Sequence, residues 1–577
     1  MRSFNARYLS YEEVASDFVE TTNYRKLLDS NHSLLTGPRG CGKTTMLKML
    51  TPRGIKLLNK LEEVPFWGIY IPTDRQWRSQ TDFVESLYHC DKTFSHTLSR
   101  AMVNINMAMS FCRLVEDLWE IADIEEGERT FHFCAGLVET WKLSRPIAPS
   151  INSILVKLRS YLSDVDIAAN KGDGSLSLPD LCYINFVNII LCGIEVFESQ
   201  FYNLPFFSNH KKWAICIDEM EIAPDWLIDD IRNSLRSIDQ RLLFKITSAP
   251  STNNAIQNVF SASVGNDYQI IKAWVYDTKT HEEWNKFYDS IIQSRIYELL
   301  NINEKTLLSL ITSLDNAEFY ENPPSRMNKL IASLRKIDKG LDRALIDLGV
   351  SVNDTEVYGV VKKNKIILDY YTLFQREKLI KQRKGLIKNQ TELYQVYLSR
   401  WLLTDFCDGN PRVLVSWIEA LVDIFKTSQE ANGNIRMNVP GLTNLLISFS
   451  NHNIYNKLAY SVCNLKISDK NIGYKDLLDA IGEHMREILS GDSFVPQPEV
   501  YFYNESEMLN PFIDKALETG AIILIDDSSS YRGIRSGVPV YRLNEGLYPY
   551  YNIVRTNSKE VLSLMDIVSR KFISHEN

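Results

Sequence analysis

The sequence predicts an α/β core on a parallel sheet, enlarged by helical insertions and followed by a helical part and a mixed C-terminal part. Three observations carry that reading. A short apolar run, His32–Thr36, leads into the glycine-rich turn Gly37–Thr44 and then into a helical stretch, Thr44–Leu50. A second apolar run, Trp213–Ile217, ends in two adjacent acids, Asp218 and Glu219. A third, Leu242–Thr247, ends at Ser248. Apolar runs without alternation are what strands buried on both faces of a parallel sheet show.

A chain of 577 residues exceeds one compact core, so about three domains are expected. The pattern divides at 1–285 for the core, 286–425 for a helical part with a basic segment at 362–400, and 426–577 for the C-terminal part. Within the core, Ser10 and Glu13 fit a capping box at the first helix. Phe66–Pro72 reads as a strand and Ile270–Val275 as a last one. Residues 79–205 show mostly helical periodicity, as at Met102–Ile121 and Ile151–Leu162, with Lys171–Ser177 as a loop. Further on, Val413–Phe425 and Asn504–Thr519 read as helices, and Ala521–Ile525 and Val538–Leu543 as strands.

The net charge of −8 places any nucleic-acid contact on a local basic patch. The nine cysteines form no C-x-x-C pair, and Cys112, Cys192 and Cys216 lie in apolar runs as small core residues. The N-terminus has no signal-peptide core and no window reaches eighteen apolar residues, so a cytoplasmic protein without a membrane span is expected.

The turn Gly37–Pro38–Arg39–Gly40–Cys41–Gly42–Lys43–Thr44 satisfies G-x-x-x-x-G-K-[ST] in full, with a strand before it and a helix after. Glycines let backbone N–H groups turn inward onto phosphate oxygens, and the helix start adds a favourable dipole. Lys43 is placed to reach the β and γ phosphates of ATP, Thr44 to offer a hydroxyl to Mg²⁺, and Thr45 is counted with the loop among the nucleotide-binding residues. Asp218, at a strand's carboxyl edge, is the second metal-side residue. Glu219 is the expected general base that polarises the attacking water, and Glu221 a solvated or ion-paired neighbour. At the end of the next strand Thr247 and Ser248 are alternatives for a γ-phosphate or water contact, with Ser248 preferred and a capping role also open.

These residues resemble the AAA+ division of P-loop ATPases. Within it, Asp408–Arg412 (DGNPR) at a helix start looks like the sensor-2 motif of origin-recognition-complex (ORC) type ATPases and their bacterial relatives. The resemblance implies that Arg412 reaches the γ-phosphate from a helical lid. It also implies a C-terminal winged-helix domain at about 473–555, a domain that binds DNA in that family. The phrase RLNEGLYPYYNIV at Arg542–Val554 is similar to uncharacterised prokaryotic ORC-type ATPases, several of which lie among bacterial defence genes. Two departures stand out. The Lys43-to-Asp218 spacing leaves room for the helical insertion, and no arginine occurs from Leu242 to Ser294, where a finger for a neighbour's site is usual. Arg232 and Arg236 share a helix face and could serve in trans in a homo-oligomer, or form surface ion pairs.

The segment Lys362–Arg400 has ten Lys or Arg against three acids, interleaved with Tyr370, Tyr371, Phe374 and Tyr394. That suits a nucleic-acid surface, or an amphipathic helix with aromatics in the core. In the expected hairpin loop, Arg532 and Arg535 could touch phosphate, whereas Asp526 and Asp527 would repel it. Three functions remain: an ATP-dependent nucleic-acid or defence switch, a signalling ATPase acting through a protein effector, and a replication or plasmid-maintenance initiator.

Overall fold

The computed structural model describes residues 6–73, 77, 92–144, 149–171, 179–207, 209–235, 239–251, 268–275, 278–300, 324–351, 353–363, 370–387, 391–397, 405–432, 439–451, 464–467, 470–496, 498–525, 538–556, 558 and 560–573. The chain divides into two compact units. The first comprises Met1–Gly37, Gly42–Ala249 and Asn254–Ala273, and the second Pro38–Cys41, Pro250–Asn253 and Trp274–Asn577.

The first unit is built on a five-stranded parallel sheet of β1 (His32–Thr36), β2 (Phe66–Pro72), β3 (Lys212–Asp218), β4 (Leu242–Ser248) and β5 (Tyr268–Lys272), in the order β2-β3-β4-β1-β5. β4 therefore separates the strand that ends in Asp218 from the strand that feeds the glycine turn. Both β1 and β4 are buried along their whole length, which is why neither alternates in sequence. The last strand ends at Lys272, short of the expected Val275. Ala273 N–H closes its pairing on the Thr36 carbonyl, and the chain from Trp274 belongs to the second unit. Lys245, in the middle of β4, donates to the Asp29 and Asn31 carbonyls and to Ser33 Oγ, and burial pushes its ammonium down to about 7.

The capping box at Ser10 and Glu13 forms in both directions. Among the described residues, four long helices run between β2 and β3, Lys92–Ile121, Glu128–Thr140, Ile151–Lys171 and Phe186–Phe201. Phe111, Trp141, Phe197 and Trp213 form a ring cluster that joins the first and last of these helices and the end of the second to the sheet. Cys112 and Cys216 are buried and Cys192 partly so. The loop expected at Lys171–Ser177 lies outside the described residues after Lys171.

In the second unit the helix Thr278–Leu300 packs on Pro411–Asn432. The basic segment resolves into the helix Tyr370–Arg383, whose Tyr370 and Phe374 rings are buried. Arg376 is buried too. It forks onto Asp338 at 2.5 and 3.1 Å and donates to the Leu489 and Gly491 carbonyls. Lys378 and Lys381 pair with Glu392 and Glu377. Within this helix the buried Tyr370 and Phe374 rings fit the amphipathic-helix alternative, because a buried ring has no free face for a base.

Two short antiparallel strands, β6 (Asn464–Ile467) and β7 (Lys470–Gly473), lead into the helix Tyr474–Ser490. The C-terminal sheet then takes β8 (Tyr501–Tyr503), β9 (Ile522–Ile525), β10 (Val540–Leu543) and β11 (Leu562–Ser563) in the order β11-β8-β10-β9. β9 and β10 are antiparallel, with Val540 opposite Ile525 and Leu543 opposite Ile522. The helix before β9 starts at Asn510, six residues later than expected, because the Asn504 amide ties back to the Ser506 carbonyl and to Asn510 Oδ1. The segment 526–537, with Arg532, Arg535, Asp526 and Asp527, lies outside the described residues.

Gly482 lets this unit close. A Cβ there would fall 2.2 Å from the Tyr551 ring, which is fixed by its hydroxyl donating to Asp479. Gly482→Ala is expected to destabilise the fold by about 1–3 kcal/mol. Thermal unfolding checks it beside Gly359→Ala, where a Cβ meets nothing within 4 Å. An unchanged midpoint for Gly482→Ala would mean that Tyr551 yields without cost.

Candidate nucleotide site

The loop Gly37–Thr44 leaves β1 at the carboxyl edge of the sheet, where Gly37 N–H donates to the Ser248 carbonyl. Gly40 and Gly42 both take positive φ, +91° and +90°, a region in which a Cβ is strained. Lys43 opens the following helix, Lys43–Lys48, is 7% exposed, and donates from Nζ to the Gly37 carbonyl at 2.5 Å. Thr44 and Thr45 are half-buried in its first turn, and Cys41 is buried at the loop's tip.

The acids of β3 converge on this helix. Thr44 Oγ1 donates to Asp218 Oδ2 at 2.7 Å, and the Tyr70 hydroxyl reaches the same oxygen at 3.1 Å. The other oxygen, Oδ1, accepts from Thr247 Oγ1 at 2.6 Å and from the Glu219 N–H at 3.1 Å. Glu219 itself sits at φ +54°, and its N–H also reaches Thr247 Oγ1 at 3.0 Å. That anchor aims a partly exposed carboxylate outward, where Arg7 Nη1 lies 3.4 Å from Oε2 and Arg7 Nη2 donates to the Thr73 carbonyl.

Sequence reasoning left the end of β4 between two residues. The structure brings Thr247 to the acidic pair, whereas the Ser248 hydroxyl donates to the Ala249 carbonyl. Side chains alternate along a strand, so only one of two neighbours faces β3's acids. Three more residues belong to this cluster. Tyr70 comes from the neighbouring strand, and burial and the adjacent Asp218 push its hydroxyl far above the usual tyrosine range. Glu221 accepts from the Ala249 N–H, and burial raises its carboxyl against the opposing pull of Lys43. Arg7 comes from the chain's start. Glu221 was already legible beside Asp218 and Glu219, the run FWGIYIP, with a polar-tipped ring inside a buried strand, gives a signal for Tyr70, and no local pattern marks Arg7.

The loop's tip, Pro38–Cys41, belongs to the second unit, and two elements of that unit hold it. Arg39 N–H donates to the Glu518 carbonyl at 2.8 Å, and its guanidinium pairs with the Glu518 carboxylate at 2.7 Å. From the other element, Asn410 Nδ2 donates to the Arg39 carbonyl at 2.8 Å and Arg412 N–H to the Gly40 carbonyl at 3.3 Å. A Cβ on Gly40 would lie 2.7 Å from Asn410 Oδ1 and 3.0 Å from Arg412 Cβ. Gly40 is therefore needed for this close approach as well as for its φ. Asn410 Oδ1 accepts from the N–H groups of Arg412 and Val413, capping the helix that Pro411 begins. Arg232 pairs with Asp229 on its own helix at 2.8 Å, and Arg236 lies outside the described residues.

Among the described residues no helix is long and apolar enough to cross a membrane. Neither a curated protein nor a solved structure matches this chain. The model of the ORC-CDC6-like family does match it, over residues 1–564. The chain belongs to the ORC-CDC6-like family, which makes it an AAA+ ATPase of the ORC/CDC6 type.

Proposed function

We infer that this protein is a nucleotide-dependent switch that binds and hydrolyses MgATP and acts on a partner within a multi-component bacterial system. The observation that carries the reading is the meeting of Thr44 and Asp218 at 2.7 Å directly behind the glycine loop, with Glu219 beside them. Two hard oxygen donors at the base of a phosphate loop fit Mg²⁺, which when bound supplies charge to the β and γ phosphate oxygens. Gly37, Pro38 and Arg39 shape the loop, Gly40, Cys41, Gly42 and Thr45 offer backbone N–H groups to the phosphates, and Lys43 adds the cation. Glu219 accepts a proton from water, and Thr247, with Ser248 behind it, fixes the Glu219 backbone.

In this reading residues 1–285 form the catalytic core with its helical insertion, 286–425 the lid that carries Arg412, and 426–577 the effector-facing part. The order strand, helix, hairpin across β8, Asn510–Thr519, β9 and β10 supports a winged-helix domain, and with it DNA as the partner. Turnover measured with and without single- and double-stranded DNA, and DNA binding followed against salt, test that part. Binding that ignores salt, with turnover indifferent to DNA, would turn the reading toward a protein partner.

Arg412→Ala tests the lid. The N–H of Arg412 already bonds the Gly40 carbonyl, so the residue's backbone starts at the tip of the phosphate loop. Its loss is expected to weaken ATP about tenfold or more while leaving ADP nearly unchanged, since only ATP carries the γ-phosphate. Titration with both nucleotides reads the ratio, and equal losses would make Arg412 a structural residue.

A further inference from the structure

The turn Cys407–Pro411 is closed by the Asn410 N–H on the Cys407 carbonyl at 2.9 Å. Asp408 and Gly409 sit at φ +50° and +74°, two successive left-handed residues, and the first of them is not glycine. A second hold, on the Asp408 side chain, comes from 134 residues away. Arg542, on β10, places both terminal nitrogens on the Asp408 carboxylate, Nη1 to Oδ2 at 2.7 Å and Nη2 to Oδ1 at 2.6 Å. The Glu545 N–H adds a third bond to Oδ2 at 3.1 Å, and Arg542 Nη2 reaches the Val275 carbonyl at 3.3 Å. The two side chains are 5% and 2% exposed. Behind them the charges continue. Glu545 pairs with Arg555, Arg555 with Asp405, and Asp405 with His281.

We propose that Arg542 is a positioning residue that, by gripping Asp408, holds Asn410 and Arg412 against the tip of the phosphate loop and so couples the C-terminal sheet to nucleotide binding. The chain of contacts is short: Arg542 to Asp408, one residue to Gly409, then Asn410 to the Arg39 carbonyl and Arg412 to the Gly40 carbonyl. A planar fork on a carboxylate fixes direction as well as distance, which a lysine cannot do. β10 is also the central partner of β8 and β9, so a ligand that shifts this sheet moves the grip. Residues Arg542–Glu545 thus act on the turn Asp408–Arg412 as one device, although the sequence separates them widely.

The test uses the full chain with two variants. Arg542→Lys keeps the charge and loses the fork. Asp408→Asn combined with Arg542→Met removes both charges, so no ion is left buried alone, and Asn tolerates the left-handed backbone. The double variant carries the test if the single one does not fold. Amide hydrogen exchange is followed at 37–44 and 406–413, and ATP affinity by titration. Exchange at both segments is expected to quicken, and ATP to weaken about tenfold, while the helix Lys92–Ile121 keeps its protection. A folded variant with wild-type protection at both segments would overturn the proposal, whatever its nucleotide affinity. The affinity arm rests on the ATP-binding reading. The exchange arm does not, so a wild-type chain that bound no ATP would sink that reading while the grip was still judged.

Discussion

Lys43→Ala is expected to lower ATP affinity by at least about a hundredfold, or roughly 3 kcal/mol, the loss of one or two charge-assisted hydrogen bonds to phosphate. The argument rests on where the ammonium sits. Lys43 is nearly buried, it is the first residue of the helix, and its Nζ is held by the Gly37 carbonyl. That carbonyl stands at the mouth of the same loop, so a small turn of the side chain carries the charge from protein oxygen to phosphate oxygen. Little reorganisation is needed, and most of the interaction appears as affinity. Stability should change far less. Truncation loses a bond to the Gly37 carbonyl and the attraction of Glu221, but it also removes the cost of holding a cation out of water. Titration calorimetry and a melting curve measured together decide the matter. A folded variant with wild-type ATP affinity would dismiss Gly37–Thr44 as the phosphate site.

The legible parts of this fold are those set by local pattern. Strands β1 and β2 fall at the residues their apolar runs predict, β3 extends by one residue at each end, and β4 by one at its carboxyl end. A buried parallel strand is a short apolar run bounded by turn residues, and it needs no partner to be seen. The same burial hides the finer point. β4 is covered on both faces, so its sequence does not mark which side faces Asp218, and Thr247 could not be told from Ser248. The basic segment left two readings open for a related reason. Arg376 looks like surface charge in sequence, yet Asp338 and two backbone carbonyls absorb it in the core. What stayed invisible is long-range pairing. Tyr70 with Asp218 and Arg542 with Asp408 join residues 148 and 134 apart, and nothing in either local stretch names its partner. The DGNPR and RLNEGLYPYY phrases were each visible in the sequence, but that one grips the other follows only from the folded chain.

Glu219→Gln should leave ATP bound and stop turnover, with kcat falling by about a hundredfold or more, the usual scale of a lost general base. The substitution is close to isosteric, and the backbone that aims the side chain is anchored independently of it. The Glu219 N–H is shared by Asp218 Oδ1 and Thr247 Oγ1, so the residue should keep its left-handed φ and its direction. What changes is charge. An amide cannot accept a proton from water, so the attacking oxygen loses its polarising partner while Lys43, Thr44 and Asp218 remain in place. The cost in stability should be small. The ion pair of Glu219 to Arg7 at 3.4 Å joins side chains 34% and 40% exposed, and pairs of that kind contribute at most about 1 kcal/mol. The variant should therefore bind ATP within about threefold of wild type, melt at nearly the same temperature, and hold the ATP-bound state for study. Single-turnover hydrolysis separates the chemical step from product release. If the Gln variant hydrolyses bound ATP at the wild-type rate, the base is another group. Glu221 would be examined next, because burial raises its carboxyl and it faces Lys43 from the same loop.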